Sequence, residues 1–267
     1  ENPDAILVYG DTNATLAGAI AASKLHIPVA HVEAGLRSFN RKMPEEINRI
    51  LTDQVSSLLF CPSCSSAKQL ELEGVGKKEV GSNSIIVNSG DVMFDAVKFY
   101  LEKLGIDDYK PSAPQVLVTL HRQENVDDRD RLGSILSALK GLSSSYRVLL
   151  PLHPRTKKMA AEFGFEFEGI EVTEPLGYFD LLRELKNSTF VASDSGGLQK
   201  EAFFAKRPCL VLRDETEWTE LLKTGNNILC GADYTKILTS AKEFEAGFKE
   251  SENPYGDGKA SEQIVDS

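Results

Sequence analysis

The chain has 267 residues, 41% of them apolar and 26% charged, enough for two modest domains with ordinary globular cores. Its net charge of −10 argues against a general nucleic-acid or anionic-membrane binder, while leaving room for a local basic pocket around a small anion. No apolar run approaches the roughly 20 residues of a membrane span and no basic-then-apolar leader opens the chain, so a cytoplasmic protein without a membrane partner is expected.

Taken in order, short apolar runs alternate with helical ones. "AILVYG" reads as a strand, "ATLAGAIAASKL" as an Ala-rich helix, and "IPVAHV" as the next strand. "PEEINRILTDQVSS" opens with Pro44 and two acids, as a helix start should. "LLFCPS", "SSAKQLELEG" and "SIIVNSG" continue the pattern, and "DVMFDAVKFYLEKLG" carries apolar residues at helical spacing up to Gly105. The "CPSC" pair has no second pair or histidine to complete a zinc site, so two thiols at a strand end is the plain reading. "IDDYKPSAPQ" is the candidate linker. Beyond it the alternation restarts: "VLVTL", "RDRLGSILSALKGL", "YRVLLPL", "TKKMAAEFG", "YFDLLRELKN", "TFVAS", "GLQKEAFFAK", "PCLVL", "NILCG" and a helix from about Asp233. Near-continuous apolar strands alternating with helices predict an α/β fold: parallel sheets covered on both faces, in two doubly wound domains with a cleft between them.

Polar residues follow each strand: Asp11 after "AILVYG", Glu33 after "IPVAHV", His121 and Arg122 after "VLVTL", His153 after "VLLPL", and "DSGG" after "TFVAS". One such loop is ordinary helix capping, whereas five should converge on the carboxyl edges of the sheets. "DSGG" before a helix former predicts a phosphate site, since Ser195, Gly196 and Gly197 would let an anion approach the free N–H groups of the helix. It is neither a dinucleotide nor a Walker fingerprint. Glu201, deeper in that helix, suits ribose hydroxyls. Asp11, Glu33 and Glu45, placed together, would suit proton transfer near neutral pH, with Arg37, Arg41 and Arg49 holding the loop. Glu46 reads as structural, and His153 as a buttress.

"GDTNATLAGAIAA", "HVEAGLRS", "MPEEINR", "HRQEN", "EPLGY", "DSGGLQKEA", "LRDETEW" and "NPYGDGKAS" occur in order along nearly the whole chain. In these motifs the sequence resembles the non-hydrolysing UDP-N-acetylglucosamine 2-epimerases. The resemblance implies two Rossmann-like domains in the glycosyltransferase-B arrangement, usually dimeric. The first, incomplete domain (residues 1–106) would carry the catalytic carboxylates. The second (107–267) would bind UDP, with its last helix packing back on the first. It further implies a UDP-sugar substrate, epimerised at C2 by anti elimination of UDP and re-addition to 2-acetamidoglucal, with no redox cofactor and no metal. By position, Asp11, Glu33 and Glu45 fall on the catalytic carboxylates and His121 on the histidine that assists UDP departure. Ser195, Gly196 and Gly197 fall on the diphosphate loop and Glu201 on the ribose ligand, with Arg37, Arg122 and Arg213 as further UDP contacts.

The start, "ENPDAILVYG", enters a strand with no preceding element, so the opening strands of the family are expected to be missing. "LQKEAFF" and "DETEW" resemble a branch that includes UDP-2,3-diacetamido-glucuronate epimerases, while "HVEAGLRS" points to the acetylglucosamine branch. A glycosyltransferase of the same architecture, a hydrolysing epimerase and an inactive UDP-sugar-binding fragment stay open as rivals.

Overall fold

A computed structural model of the chain describes residues 3–76, 84–108 and 113–267. Two compact units emerge: residues 1–95 with 253–267, and residues 96–252. Among the described residues every strand pairing in both is parallel.

The first unit holds a four-stranded sheet in the order β1 (Ile6–Tyr9), β2 (Val29–Val32), β3 (Leu58–Cys61) and β4 (Ile85–Asn88). Its helices are α1 (Asn13–Lys24), α2 (Pro44–Val55), α3 (Cys64–Leu72) and the first turn of α4 (Val92–Lys103). Each start has a local cause. The Thr12 hydroxyl accepts from Thr15 N at 3.2 Å ahead of α1, Pro44 with Glu45 and Glu46 opens α2, and Ser63 and Ser66 form a reciprocal capping box on α3. Leu59, Cys61 and Leu70 are fully buried, each such leucine contributing about 1.5–3 kcal/mol. Burial, with the Asp53 charge adding to it, pushes the Cys61 thiol up to about 12, so it is an inert thiol. All four cysteines are free.

The chain's last residues rejoin this unit. Asp91 N donates to the Tyr255 carbonyl at 3.1 Å. The Asp95 carboxylate accepts from Ala260 N (3.0 Å) and Ser261 N (2.6 Å) at the start of α12 (Ala260–Asp266).

The second unit holds six strands in the order β10 (Asn227–Leu229), β9 (Cys209–Val211), β8 (Phe190–Ser193), β5 (Gln115–Thr119), β6 (Arg147–Pro151) and β7 (Glu171–Thr173). Around it lie α5 (Gln123–Val126), α6 (Arg129–Leu142), α7 (Pro154–Phe163), α8 (Tyr178–Asn187), α9 (Gly196–Phe204), α10 (Thr219–Lys223) and α11 (Tyr234–Glu243). β5 pairs β6 on one side and β8 on the other, so the connections reverse between β5 and β8. That switch point leaves a crevice beyond the carboxyl ends of these two strands.

The division between units falls inside α4, at 95/96, and the putting of 253–267 with the first unit makes that unit discontinuous. Within the segment read as a linker, residues 109–112 lie outside the described residues. Asp107 is held in the second unit, where the Lys186 ammonium donates to its carbonyl.

Candidate active site

In the first unit, Asp11 stands in the turn after β1 and Glu33 directly after β2. The Glu33 carboxylate reaches over the end of β1: a β-carbon placed on Gly10 would lie 3.3 Å from its Oε2. Glu45, Asn48 and Arg49 share one face of α2 by their three- and four-residue spacing. Asn48 Nδ2 donates to the Asp11 carbonyl at 2.9 Å, and Arg49 Nη1 lies 3.6 Å from Asp11 Oδ2. Glu45 is therefore one helical turn from the contacts that α2 makes with the Asp11 turn. Glu46, buried, accepts from Ser38 N, Ser38 Oγ and Phe39 N at 2.8, 3.0 and 2.9 Å, a loop-holding task.

Glu33 occupies the left-handed backbone region at φ 76°. For a residue with a β-carbon this costs on the order of 1–2 kcal/mol, so the surrounding structure must impose it. Glu33 N and Ala34 N both donate to the Phe60 carbonyl, at 3.1 and 3.0 Å. Gly35 follows at φ 80°, and a β-carbon there would come within 2.3 Å of the Ser66 carbonyl oxygen, so only glycine fits.

Beneath this loop lies a charge network that sequence reasoning missed. Asp53 of α2 and His31 of β2 are both 0% exposed. Asp53 bonds His31 Nδ1 (2.7 Å), Gly35 N (3.2 Å) and Arg37 Nη1 (2.7 Å). His31 Nε2 donates to the Gly10 carbonyl at 2.9 Å, since a carbonyl can only accept. Arg37, expected as a UDP contact, is buried. Its guanidinium bonds Asp53, the Leu36 carbonyl (2.6 Å) and both Glu73 oxygens (2.8 and 2.7 Å).

In the second unit the loops after β5 and β8 meet at the switch point. Asp194, 0% exposed, accepts from His121 N (3.1 and 3.0 Å to its two oxygens), Arg122 N (2.8 Å) and Asn125 Nδ2 (3.3 Å). A buried carboxylate thereby shapes the "HRQEN" loop, a role its place in "DSGG" did not disclose. His121 Nδ1 lies 3.3 Å from Asp194 Oδ1, and the His121 and His153 rings are 5.6 Å apart. His153 caps α7, its Nδ1 accepting from Arg155 N at 3.2 Å. Burial lowers the His121 pKa below the ordinary histidine value. Asp194 opposes this, and the charges of His153 and Arg122 add to it.

Ser195 caps α9, its hydroxyl accepting from Leu198 N at 3.4 Å. Gly196 allows close approach: a β-carbon there would lie 2.6 Å from Glu217 Oε1. Arg213, 2% exposed, bonds that same Glu217 at 2.9 Å. A cleft of about 200 Å³ is lined by His121, His153, Leu176, Ser195, Leu198 and Glu201, among others. Burial raises the Glu201 pKa, offset in part by a hydrogen bond from Tyr178 and by the Lys200 charge. Burial and the Glu201 charge raise Tyr178 in turn. The structure thus gathers His121, Ser195 and Glu201 around one cleft. Gly196, Gly197, Arg122 and Arg213 are not among its lining residues.

A family model described as UDP-N-acetylglucosamine 2-epimerase matches residues 1–267. The chain belongs to that family. It is 47% identical to the UDP-2,3-diacetamido-2,3-dideoxy-D-glucuronate 2-epimerase of Pseudomonas aeruginosa, a match covering 100% of this chain and 75% of that protein. Identity to the UDP-N-acetylglucosamine 2-epimerase of Methanocaldococcus jannaschii is 40%, over 99% of this chain and 75% of the relative. Among solved structures, the M. jannaschii enzyme in complex with UDP-GlcNAc and UDP superimposes with a TM-score of 0.87 at 39% identity, covering 100% of this chain and 75% of that one. The Neisseria meningitidis enzyme bound to UDP-GlcNAc gives 0.86 at 32% identity, covering 99% and 76%. This member of the epimerase family therefore shares the glycosyltransferase-B fold of these enzymes, as two parallel α/β units. Among the described residues no helix is long and apolar enough to cross a membrane.

Proposed function

We propose that this epimerase-family protein inverts C2 of UDP-N-acetylglucosamine to give UDP-N-acetylmannosamine. The observation that carries the reading is the meeting of Glu33 with the Gly10–Asp11 turn, on the same sheet edge that the Glu45 face of α2 approaches. A carboxylate of this set removes the C2 proton. The C–H electron pair forms the C1–C2 double bond, and the C1–O bond breaks with its own electron pair leaving on UDP. UDP then re-adds to C1 of the 2-acetamidoglucal while a carboxylic acid of the set returns a proton to the opposite face of C2. His121, whose pKa burial holds below the ordinary histidine value, faces the departing diphosphate and takes a proton from solvent as the negative charge of UDP beside it raises that pKa.

The helix start at Ser195, Gly196 and Gly197 receives the diphosphate on its free N–H groups, Glu201 takes the ribose, and Arg122 supplies a cation. Arg37 we assign to scaffolding, because its donors are taken up by Asp53, Glu73 and Leu36. Arg213 acts through Glu217, its partner over Gly196. A homodimer is the assembly that the family resemblance implies, and the cytoplasm is the location expected from the sequence.

The test is proton NMR of the protein with UDP-N-acetylglucosamine in D₂O. Deuterium at C2 with growth of UDP-N-acetylmannosamine is the expected result, and free N-acetylmannosamine would mean a hydrolysing enzyme instead. Glu33→Gln and Glu45→Gln should each lower turnover by at least about 100-fold while UDP still binds. Unchanged turnover in either variant removes that residue from the set. The 47% identity to the diacetamido-glucuronate epimerase favours a second substrate, so the same experiment is run with UDP-2,3-diacetamido-glucuronate. The higher kcat/KM names the substrate.

A further inference from the structure

We infer that Asp53 is a positioning residue for the C2 chemistry, setting Glu33 and Asp11 in place at once; the inference rests on the epimerase reading of these carboxylates. Asp53 follows Glu45 and Arg49 along α2 at four-residue intervals, on one stripe of the helix. Its carboxylate is 0% exposed, so the ligand does not reach it, and a buried charge must find its bonds within the protein. Three of its bonds straddle Glu33: one goes to His31 of β2, two residues before it, and the others to Gly35 two residues after and Arg37 four after. The left-handed backbone of Glu33 is thus pinned from both sides by a single group.

The link to the Asp11 turn runs on through His31. Its Nδ1 is held by Asp53 and its Nε2 by the Gly10 carbonyl, immediately before Asp11 and under the Glu33 carboxylate. One carboxylate therefore fixes the turn that presents Asp11 and the loop that presents Glu33. Replacing it frees both catalytic groups together, while the Ser195–Glu201 region in the other unit keeps its own supports. A carboxylate that served only as internal glue would change the melting temperature and nothing per folded molecule.

The decisive variant is Asp53→Asn, with turnover and C2 deuterium exchange measured per UDP-binding equivalent. We expect kcat and exchange to fall together by at least about 100-fold, as misplaced catalytic groups do, with UDP affinity within about twofold of wild type. Exchange within about threefold of wild type overturns the inference. If Asp53→Asn fails to fold, a histidine pair decides. His31→Gln keeps an amide N–H at the Nε2 position for the Gly10 carbonyl, whereas His31→Asn keeps one only at the Nδ1 position for Asp53. The relay needs both bonds, so each variant should lose at least about tenfold in exchange; a rate within about threefold of wild type in His31→Gln, which gives up only the Asp53 bond, overturns it. Absence of C2 exchange in the wild-type protein would instead sink the epimerase reading itself, and the inference with it.

Discussion

His121 sits below the ordinary histidine pKa because burial outweighs the attraction of Asp194. A diphosphate placed beside it adds negative charge and moves that value up. Between the free and bound values the protein takes up a proton when UDP binds, so affinity falls as pH rises through that window. Calorimetry of UDP binding in buffers of differing ionisation enthalpy should show proton uptake within that window, and His121→Gln should abolish it. At this scale the sequence was informative where a residue follows a strand: Asp11, Glu33, His121 and Ser195 all stand at sheet edges, and Glu46, read as structural, is a buried carboxylate that holds the loop. It was silent on Asp53 and Asp194. Their sequence neighbours look like helix interior and turn, and only tertiary partners make a buried carboxylate tolerable. The burial of Arg37 was hidden for the complementary reason, since a cation in a polar loop looks exposed until its acidic partners at positions 53 and 73 are known.

Elements with continuous apolar runs and clear caps were legible from pattern alone, including α2, α6, α9 and α11 with their N-terminal signals. The elements that were not legible are short. β7 is a three-residue edge strand, and α5 and α10 have four and five residues, too few to show a period. The placement of α12 depends on a distant residue, Asp95 of α4, which accepts its first two amides. Asp95→Ala should cost about 1–2 kcal/mol, as loss of a helix cap does. Amide exchange should then speed up in α12 while β5 and β8 of the other unit keep their protection; unchanged exchange in α12 would show that other contacts hold it.

For the molecule as a whole, two runs of strand–helix alternation predicted two parallel α/β units, and that is the architecture found. The division itself was less legible, because α4 reads as one uninterrupted amphipathic helix and nothing in its sequence marks a change of unit at 95/96. Global stability carries a mark of the site as well. Glu33 holds a backbone conformation suited to glycine, beside a second acidic turn. Glu33→Gly should relieve about 1 kcal/mol of strain, raise the thermal midpoint of the first unit and eliminate turnover. A lower midpoint would show that the contacts of the glutamate outweigh its strain. Variants recovered from a library for heat resistance alone would then accumulate glycine at this position, and those recovered for product formation would not. Position 33 becomes a recorder of past selection, telling whether a lineage was kept for its durability or for its chemistry.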